Sequence, residues 1–395
     1  MLDSIENTWK PGLDFQPRLG YYLVSNKSRP MTMIDKRKEY TETARAVAIL
    51  NGRGRGRVMT RMLAARIICK LGAQDFMLYN LDAKPARSWK EYLTKTAMDN
   101  LQAEVNPVKH KGLVTDKVLF YERCLARDIS TPPVLAVIAA YTTKRSGVAL
   151  QTVETATQLN DLLRGFGNRT LIIKDQHGAW GKGVLLVSVR DGRIIQHTGE
   201  EFTADEIIRH CLEHQADFIV QDFLRADDRV KSIMPGPALG TFRMVTVSQA
   251  EGAEVAVPYA FAKIPVAGNI TDNFYHGSTG NLICGIQVET GRLMTAWGAN
   301  SGKHGQLVEV DTHPNTGLLL PGFEIPSWAQ MLAAAKRAAA AFPELRTLGW
   351  DVALTSDGIV MLEANCNYDP DGPQITLNRG IRSEIARHYK WAMGG

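Results

Sequence analysis

The residues best suited to chemistry lie near the C-terminus, in Gly349-Trp350-Asp351-Val352-Ala353-Leu354-Thr355-Ser356-Asp357-Gly358-Ile359-Val360-Met361-Leu362-Glu363-Ala364-Asn365. Strand side chains alternate between the two faces with period two. Trp350, Val352, Leu354, Val360, Leu362 and Ala364 form one apolar set, expected to face the core. A three-residue loop, Ser356-Asp357-Gly358, with glycine in the left-handed position keeps both apolar rows on one side. Thr355 then pairs with Ile359, Asp351 lies opposite Glu363, and Asn365 shares their face. A two-residue loop puts Asp351 on the apolar side and is rejected. Facing carboxylates repel unless a cation sits between them. Oxygen-only ligands suit Mg2+ completed by water and phosphate oxygens. Taken alone, the hairpin reads equally well as a solvated sheet face.

A second feature precedes it. Ile172-Ile173-Lys174 runs into Asp175-Gln176-His177-Gly178-Ala179-Trp180-Gly181-Lys182-Gly183, then into an apolar strand, Val184 to Val189. Glycines let backbone N–H groups fold over phosphate oxygens, and Lys174 at the strand end supplies a point charge. The strand–loop–strand order excludes a Walker A loop, which opens a helix. An ordinary hairpin is the alternative. Lys117 alone reads as a surface lysine.

Elements must hold these groups. Helices are expected at Met59 to Leu71, at Ser88 to Asn100 with Ser88 as N-cap, and at Asp116 to Arg127. Residues 1 to about 60 have weak periodicity, and Asn51 to Gly56 is too glycine-rich for a helix interior. Alternating strands and helices follow: strand 134–139, helix 153–163, strands 171–174, 184–189 and 194–198, helix 204–214 and strand 218–223. Longer strands are expected at 241–249, 254–264, 281–289 and 292–297, then helix 327–342, the hairpin, and a helix from Ile381. This pattern argues for an α+β fold in three parts: a basic arm and helical lobe over 1–112, a lobe with the glycine-rich loop over 113–220, and a lobe with the hairpin over 221–395.

The chain has 395 residues, 45% hydrophobic and 22% charged, as expected of a soluble globular protein. No apolar run reaches the ~20 residues of a membrane span. Five scattered cysteines without CxxC pairs read as reduced thiols, and the acidic N-terminus lacks a signal-peptide core, so a cytoplasmic location is expected. Up to Arg61 there are 12 Lys and Arg against 6 Asp and Glu. That basic excess reads as a solvated arm, with contact to anionic lipid, nucleic acid or a polyanionic substrate as the less favoured alternatives. No nucleic-acid motif accompanies it, so nucleic acid is not the expected partner.

Asp116-Lys117, Lys174 with its glycine-rich loop, Gln221-Asp222-Phe223-Leu224, Thr241-Phe242-Arg243, and Asp351 through Glu363-Ala364-Asn365 occur in the order of the ATP-grasp superfamily. The pattern resembles the sugar-transfer-associated ATP-grasp subgroup, related to α-L-glutamate-ligase-like proteins, over roughly residues 65 to 390. Asp272-Asn273 and His313-Pro314-Asn315-Thr316-Gly317 also look like that subgroup. The resemblance implies an ATP-grasp fold, two α+β lobes sandwiching ATP. It implies that Lys117 and Lys174 bind ATP phosphates, with Gly178, Gly181, Lys182 and Gly183 in a closing flap. Gln221, Asp222 and Phe223 would form the adenine hinge, with backbone contacts at Asp222 and Phe223. Asp222 stands where similar proteins usually have Glu. Asp227 or Asp228 would meet the ribose. Arg243 would hold the γ-phosphate. Asp351, Glu363 and Asn365 would ligate Mg2+. Asp272, Asn273, His276 and His313 would line the acceptor end, although Phe274 to Gly280 departs from the double glycine usual there.

The implied chemistry joins a small-molecule carboxylate to an amine through an acyl phosphate, with ATP and Mg2+ as cofactors. A kinase acting on a hydroxyl acceptor would use the same groups, and a nucleotide-binding module without turnover would keep them without chemistry.

Overall fold

The computed structural model describes residues 32–141, 150–178, 181, 183–249, 254–299 and 306–394. Ala179, Trp180 and Lys182 of the expected flap lie outside the described residues.

The N-terminal helices are α1 (Met33–Asn51), α2 (Arg55–Cys69), α3 (Ala73–Leu78), α4 (Lys95–Val105), α5 (Gly112–Thr115) and α6 (Lys117–Leu125). α1 falls where no helix was expected. Its buried positions are Thr43, Ala44, Ala46, Val47 and Ala48, so its inner face is made of small residues that give little hydrophobic contrast. Thr32 starts it with a capping box to Asp35. α2 begins inside the Gly-Arg repeat, with Gly54 as its N-cap and Gly56 in its first turn. Ser88 caps no helix. Residues 86–91 form a 3-10 turn, and α4 starts from Thr94, whose hydroxyl accepts from the Ala97 amide.

The first sheet holds β1 (Val134–Ile138), β2 (Gln151–Val153), β3 (Arg169–Asp175), β4 (Leu185–Arg190), β5 (Arg193–Gln196), β6 (Glu201–Phe202) and β7 (Phe218–Asp222). Their order is β2-β1-β7-β3-β4-β5-β6, and only β1 and β2 run parallel. Helices α7 (Ala156–Gly165) and α8 (Ala204–His214) cover one face through Leu159, Leu163, Ile207 and Cys211, against Ala136, Leu171, Val187 and Val220. Both helices start with Thr capping boxes.

The second sheet is antiparallel throughout: β8 (Thr241–Ser248), β9 (Val255–Ile264), β10 (Leu282–Gln287), β11 (Arg292–Ala299), β12 (Leu307–Val310), β13 (Thr347–Thr355) and β14 (Gly358–Asn365), in the order β12-β11-β10-β9-β8-β13-β14. Helix α9 (Trp328–Ala340) packs Met331, Ala335 and Ala338 on one face, against Phe242, Met244, Trp350 and Val352. Phe261 and Ile283, on the alternate positions, join the core of the N-terminal helices along with Ile375 of α10 (Asp371–Thr376). Helix α11 (Arg382–Ala392) packs on α4 and β8. Among the described residues, no helix is long and apolar enough to cross a membrane.

The hairpin of β13 and β14 corrects one expectation. Thr355 pairs with Gly358, not Ile359, so the turn has two residues rather than the expected three. A register shift between Asp351 and Val352 absorbs Leu362 as an extra residue, which restores Asp351 opposite Glu363. Below the bulge Ile359 and Met361, rather than Val360, share the core face with Leu354 and Val352. Leu362 leaves the apolar row and lines a cleft between the two sheets.

Candidate active site

Pleat alternation brings two sets of groups face to face. In the first sheet, Leu171, Ile173 and Val220 point to the helices, so Ile172, Lys174 and Gln221 take the other face. In the second, Phe242, Ala262, Ile264, Trp350 and Val352 point to α9, so Arg243, Lys263 and Asp351 take the other face. The cleft between is lined by Lys117, Lys174, Gly178, Gly181, Gln221 to Leu224, Thr241, Lys263, Asp272, Asn273, Asp351 and Glu363, among others.

Register sets the order at its charged end. Asp351 pairs with Glu363 on one side and with Arg243 on the other. Arg243 grips Asp351 through two hydrogen bonds, Nε at 2.6 Å and Nη2 at 2.8 Å. Lys263, paired across β8 and β9 with Thr241, reaches Asp351 and Asp272, both at 3.1 Å. The Thr241 hydroxyl donates to Asp272. Burial works against the Asp351 charge, but Arg243 and Lys263 outweigh it and hold the carboxyl well below the usual range. Burial likewise opposes the Lys263 charge, and Asp272 with Asp351 reverses that. Lys263 was not singled out from sequence.

The donor set fits a hard cation. Asp351, Glu363 and the Asn365 amide supply oxygen only, and Asn365 Nδ2 lies 3.3 Å from Glu363 Oε1, which turns the amide nitrogen toward Glu363. Among the described residues no cation sits at ion-pair distance from Glu363, and no group of three or more His, Cys, Asp or Glu is assembled to hold a metal. Two carboxylates and an amide suit an ion that takes its remaining ligands from phosphate and water.

At the other side, Asp116 caps α6 and accepts from Gln176, while Lys117 donates to the Gly178 carbonyl beneath the flap. Asp175 accepts from the His177 and Gly178 amides, each at 2.7 Å, which folds the loop back. A Cβ on Gly178 would lie 2.6 Å from that of Asp175. Gly181, at φ +67°, passes so near Asn273 that a Cβ would sit 2.6 Å from its amide. Burial pushes Lys117 down; burial, then the Lys117 charge, push Lys174 down to about 8.

Several expected residues take other roles. The Phe223 amide donates to the Thr170 carbonyl, so it is committed to the sheet. β7 ends at Asp222, and Leu224 beyond it lines the cleft. The Asp222 carboxylate is held by Arg169 at 2.5 and 2.6 Å, and Gln221 donates to the Pro132 carbonyl. Asp228 is exposed, paired with Lys231, and lines no part of the cleft. His313 is buried in its loop: Nδ1 accepts from the Asn315 amide at 3.2 Å, and Nε2 lies 3.3 Å from the Pro265 carbonyl. His276 is outside the lining too, 2.5 Å from Asp371, which also accepts from Tyr79. Asp272 and Asn273 do reach the cleft.

Two sheet-based lobes with lysines on one side of a cleft and a carboxylate hairpin on the other define an ATP-grasp fold. The model of the sugar-transfer associated ATP-grasp family matches residues 96–389, and the chain belongs to that family. No curated protein matches it. Among solved structures it is similar to the VanG D-Ala:D-Ser ligase from Enterococcus faecalis, at 13% identity and a TM-score of 0.42, covering 76% of this chain and 69% of that one. It is also similar to D-alanyl-alanine synthetase A from Vibrio cholerae O1 biovar eltor, at 11% identity and 0.41, covering 72% and 66%. The ATP-grasp ligase PsnB complexed with minimal precursor is similar at 12% identity and 0.37, covering 73% and 64%.

Proposed function

We propose that this protein is an ATP- and Mg2+-dependent ligase that activates a carboxylate as an acyl phosphate for attack by an amine. The observation that carries this reading is the register Glu363–Asp351–Arg243, with Lys263 beside it, at the charged end of a cleft that Lys174 enters from the opposite sheet and Lys117 from the start of α6.

Adenine lies against the hinge, with the Asp222 carbonyl and Leu224 amide as its backbone partners. Lys117 and Lys174 bind the phosphates. Mg2+ held by Asp351, Glu363 and Asn365 neutralises phosphate charge when bound. A substrate carboxylate oxygen attacks the γ-phosphorus, and the bond to ADP breaks. Arg243 and Lys263 bring the two anions together and stabilise the charge on the transferring group. The amine nitrogen then attacks the acyl carbon, loses a proton, and phosphate leaves. Gly181, packed against Asn273 at the cleft, helps keep water from the acyl phosphate.

A screen of carboxylates and amines reading ADP release tests this. ADP, phosphate and an amide that forms only when both substrates are present are expected. A stable phosphorylated product that needs no amine would point instead to a kinase and overturn the ligase reading.

A further inference from the structure

Between Glu42 and Asp75 the chain carries seven cations, Arg45, Arg53, Arg55, Arg57, Arg61, Arg66 and Lys70, and no carboxylate. Two are spent inside the lobe: Arg53 and Arg61 pair with the buried Asp82, at 3.4 and 3.1 Å. Arg55, Arg57, Arg66 and Lys70 are exposed and pair with no carboxylate among the described residues. All four belong to α2 or its C-cap.

The same helix exposes apolar side chains where a solvated face has none. Its inner face is complete with Val58, Met62 and Ala65 buried. On the outer face Leu63 is 45%, Ile67 71% and Ile68 73% exposed. Leu63 and Ile67 are four apart, hence one above the other. Helical spacing sets Arg55, Arg66 and Lys70 on one flank of the Leu63–Ile67 ridge and Arg57, next to Ile68, on the other.

We propose that this face of α2 docks on an anionic lipid surface, with Leu63, Ile67 and Ile68 entering the headgroup boundary and the flanking cations meeting lipid phosphates. An apolar ridge between cations is the arrangement such a surface selects. A second copy of the chain fits poorly, because a two-fold contact would set these arginines against one another with no carboxylate on α2 to meet them. A nucleic acid would use the cations but leave the ridge idle. The inference does not depend on the ligase reading.

Cosedimentation of the full chain with phosphatidylcholine vesicles, with and without ~30% phosphatidylglycerol, tests it. Binding to the anionic vesicles only, weakening as salt rises, is expected. Leu63→Ser combined with Ile67→Ser should weaken it roughly tenfold or more. Arg55→Gln and Arg57→Gln should each weaken it about fivefold. Unchanged thermal unfolding would show that the variants are folded. No binding by the wild-type chain, equal binding by the Leu63/Ile67 variant, or preference for a DNA duplex that this variant retains would each overturn the proposal.

Discussion

Glu363 and Asp351 face each other, yet they should respond differently to removal. Glu363 is half-buried and has no cation at ion-pair distance among the described residues, although its charge reaches Lys117, Lys174 and Arg243. Glu363→Ala should cut ATP turnover about 10²–10³-fold or more, while stability stays within ~0.5 kcal/mol. Asp351 is buried and answers both Arg243 and Lys263. Asp351→Ala leaves Arg243 without its bidentate partner and Lys263 with Asp272 alone, and should cost about 3–5 kcal/mol as well as activity. Urea denaturation beside ADP release separates the two; wild-type turnover in Glu363→Ala would sink the metal site. Lys174 offers a pH test. Its ammonium, pushed down to about 8 from 10.5, is penalised in the nucleotide-free fold below pH 8, and that penalty is relieved as pH rises toward 10.5. Phosphate needs the charged form, so above pH 8 binding must take up a proton. ATP affinity should then fall by up to about tenfold per pH unit, and Lys174→Arg should flatten the profile in calorimetry. A flat wild-type profile would contradict the assignment. These groups were legible in the sequence because their spacing is distinctive. Lys263 was not: in Ala262-Lys263-Ile264-Pro265 it ends an apolar strand, and only the pairing with Thr241 turns it toward the acids.

Helix α8 was legible to the residue, because Thr203 and Glu206 mark its start and its apolar stripe is sharp. The Asp351–Glu363 pairing was legible for a similar reason, since alternation leaves few registers. The bulge at Leu362 was not, because a two-residue turn plus one extra residue and a three-residue loop give the same pairing at the open end of the hairpin. Close backbone approaches are equally silent in sequence. Gly380, between α10 and α11, lies against the backbone of the 3-10 turn at 86–91, and a Cβ there would come within 2.2 Å of the Glu91 carbonyl carbon. Backbone cannot swing aside as a side chain can. Gly380→Ala should therefore destabilise by about 1–3 kcal/mol. Gly112→Ala, with nothing within 4 Å of the added carbon, should be nearly neutral. Equal urea midpoints for the two variants would refute the close approach.

At the scale of the molecule, the N-terminal helices are tied to the site-bearing lobe through several polar contacts, Asn106 with Thr347 of β13 among them, and another set joins the end of α3 to α10 beside an apolar interface. Tyr79, at the C-terminal cap of α3, and His276, from the loop after Asn273, both bind Asp371 of α10, and Asp75 lies close by. Nothing in the sequence joins three segments so far apart; the topology does. Their charges give the junction a pH dependence. Burial works against the His276 charge, but Asp371 outweighs it and raises the imidazole above 6.5. That contribution is complete below pH 6.5 and is lost as pH rises through the raised value. Burial raises the Asp75 carboxyl to about 6, so its charge penalises the folded state increasingly from pH 3.8 up to about 6. Burial also disfavours the Asp371 charge, yet His276 and Tyr79 lower its carboxyl below 3.8, so it stays ionised above that. Both upward shifts act in one direction: the junction weakens as pH rises from mildly acidic to alkaline. Amide exchange of residues 73–78, corrected for intrinsic rates, should lose protection as pH rises from 6.5 through the raised His276 value. His276→Gln should start less protected and change less over that range. The same slope in wild type and variant would mean that His276 does not hold the lobes together.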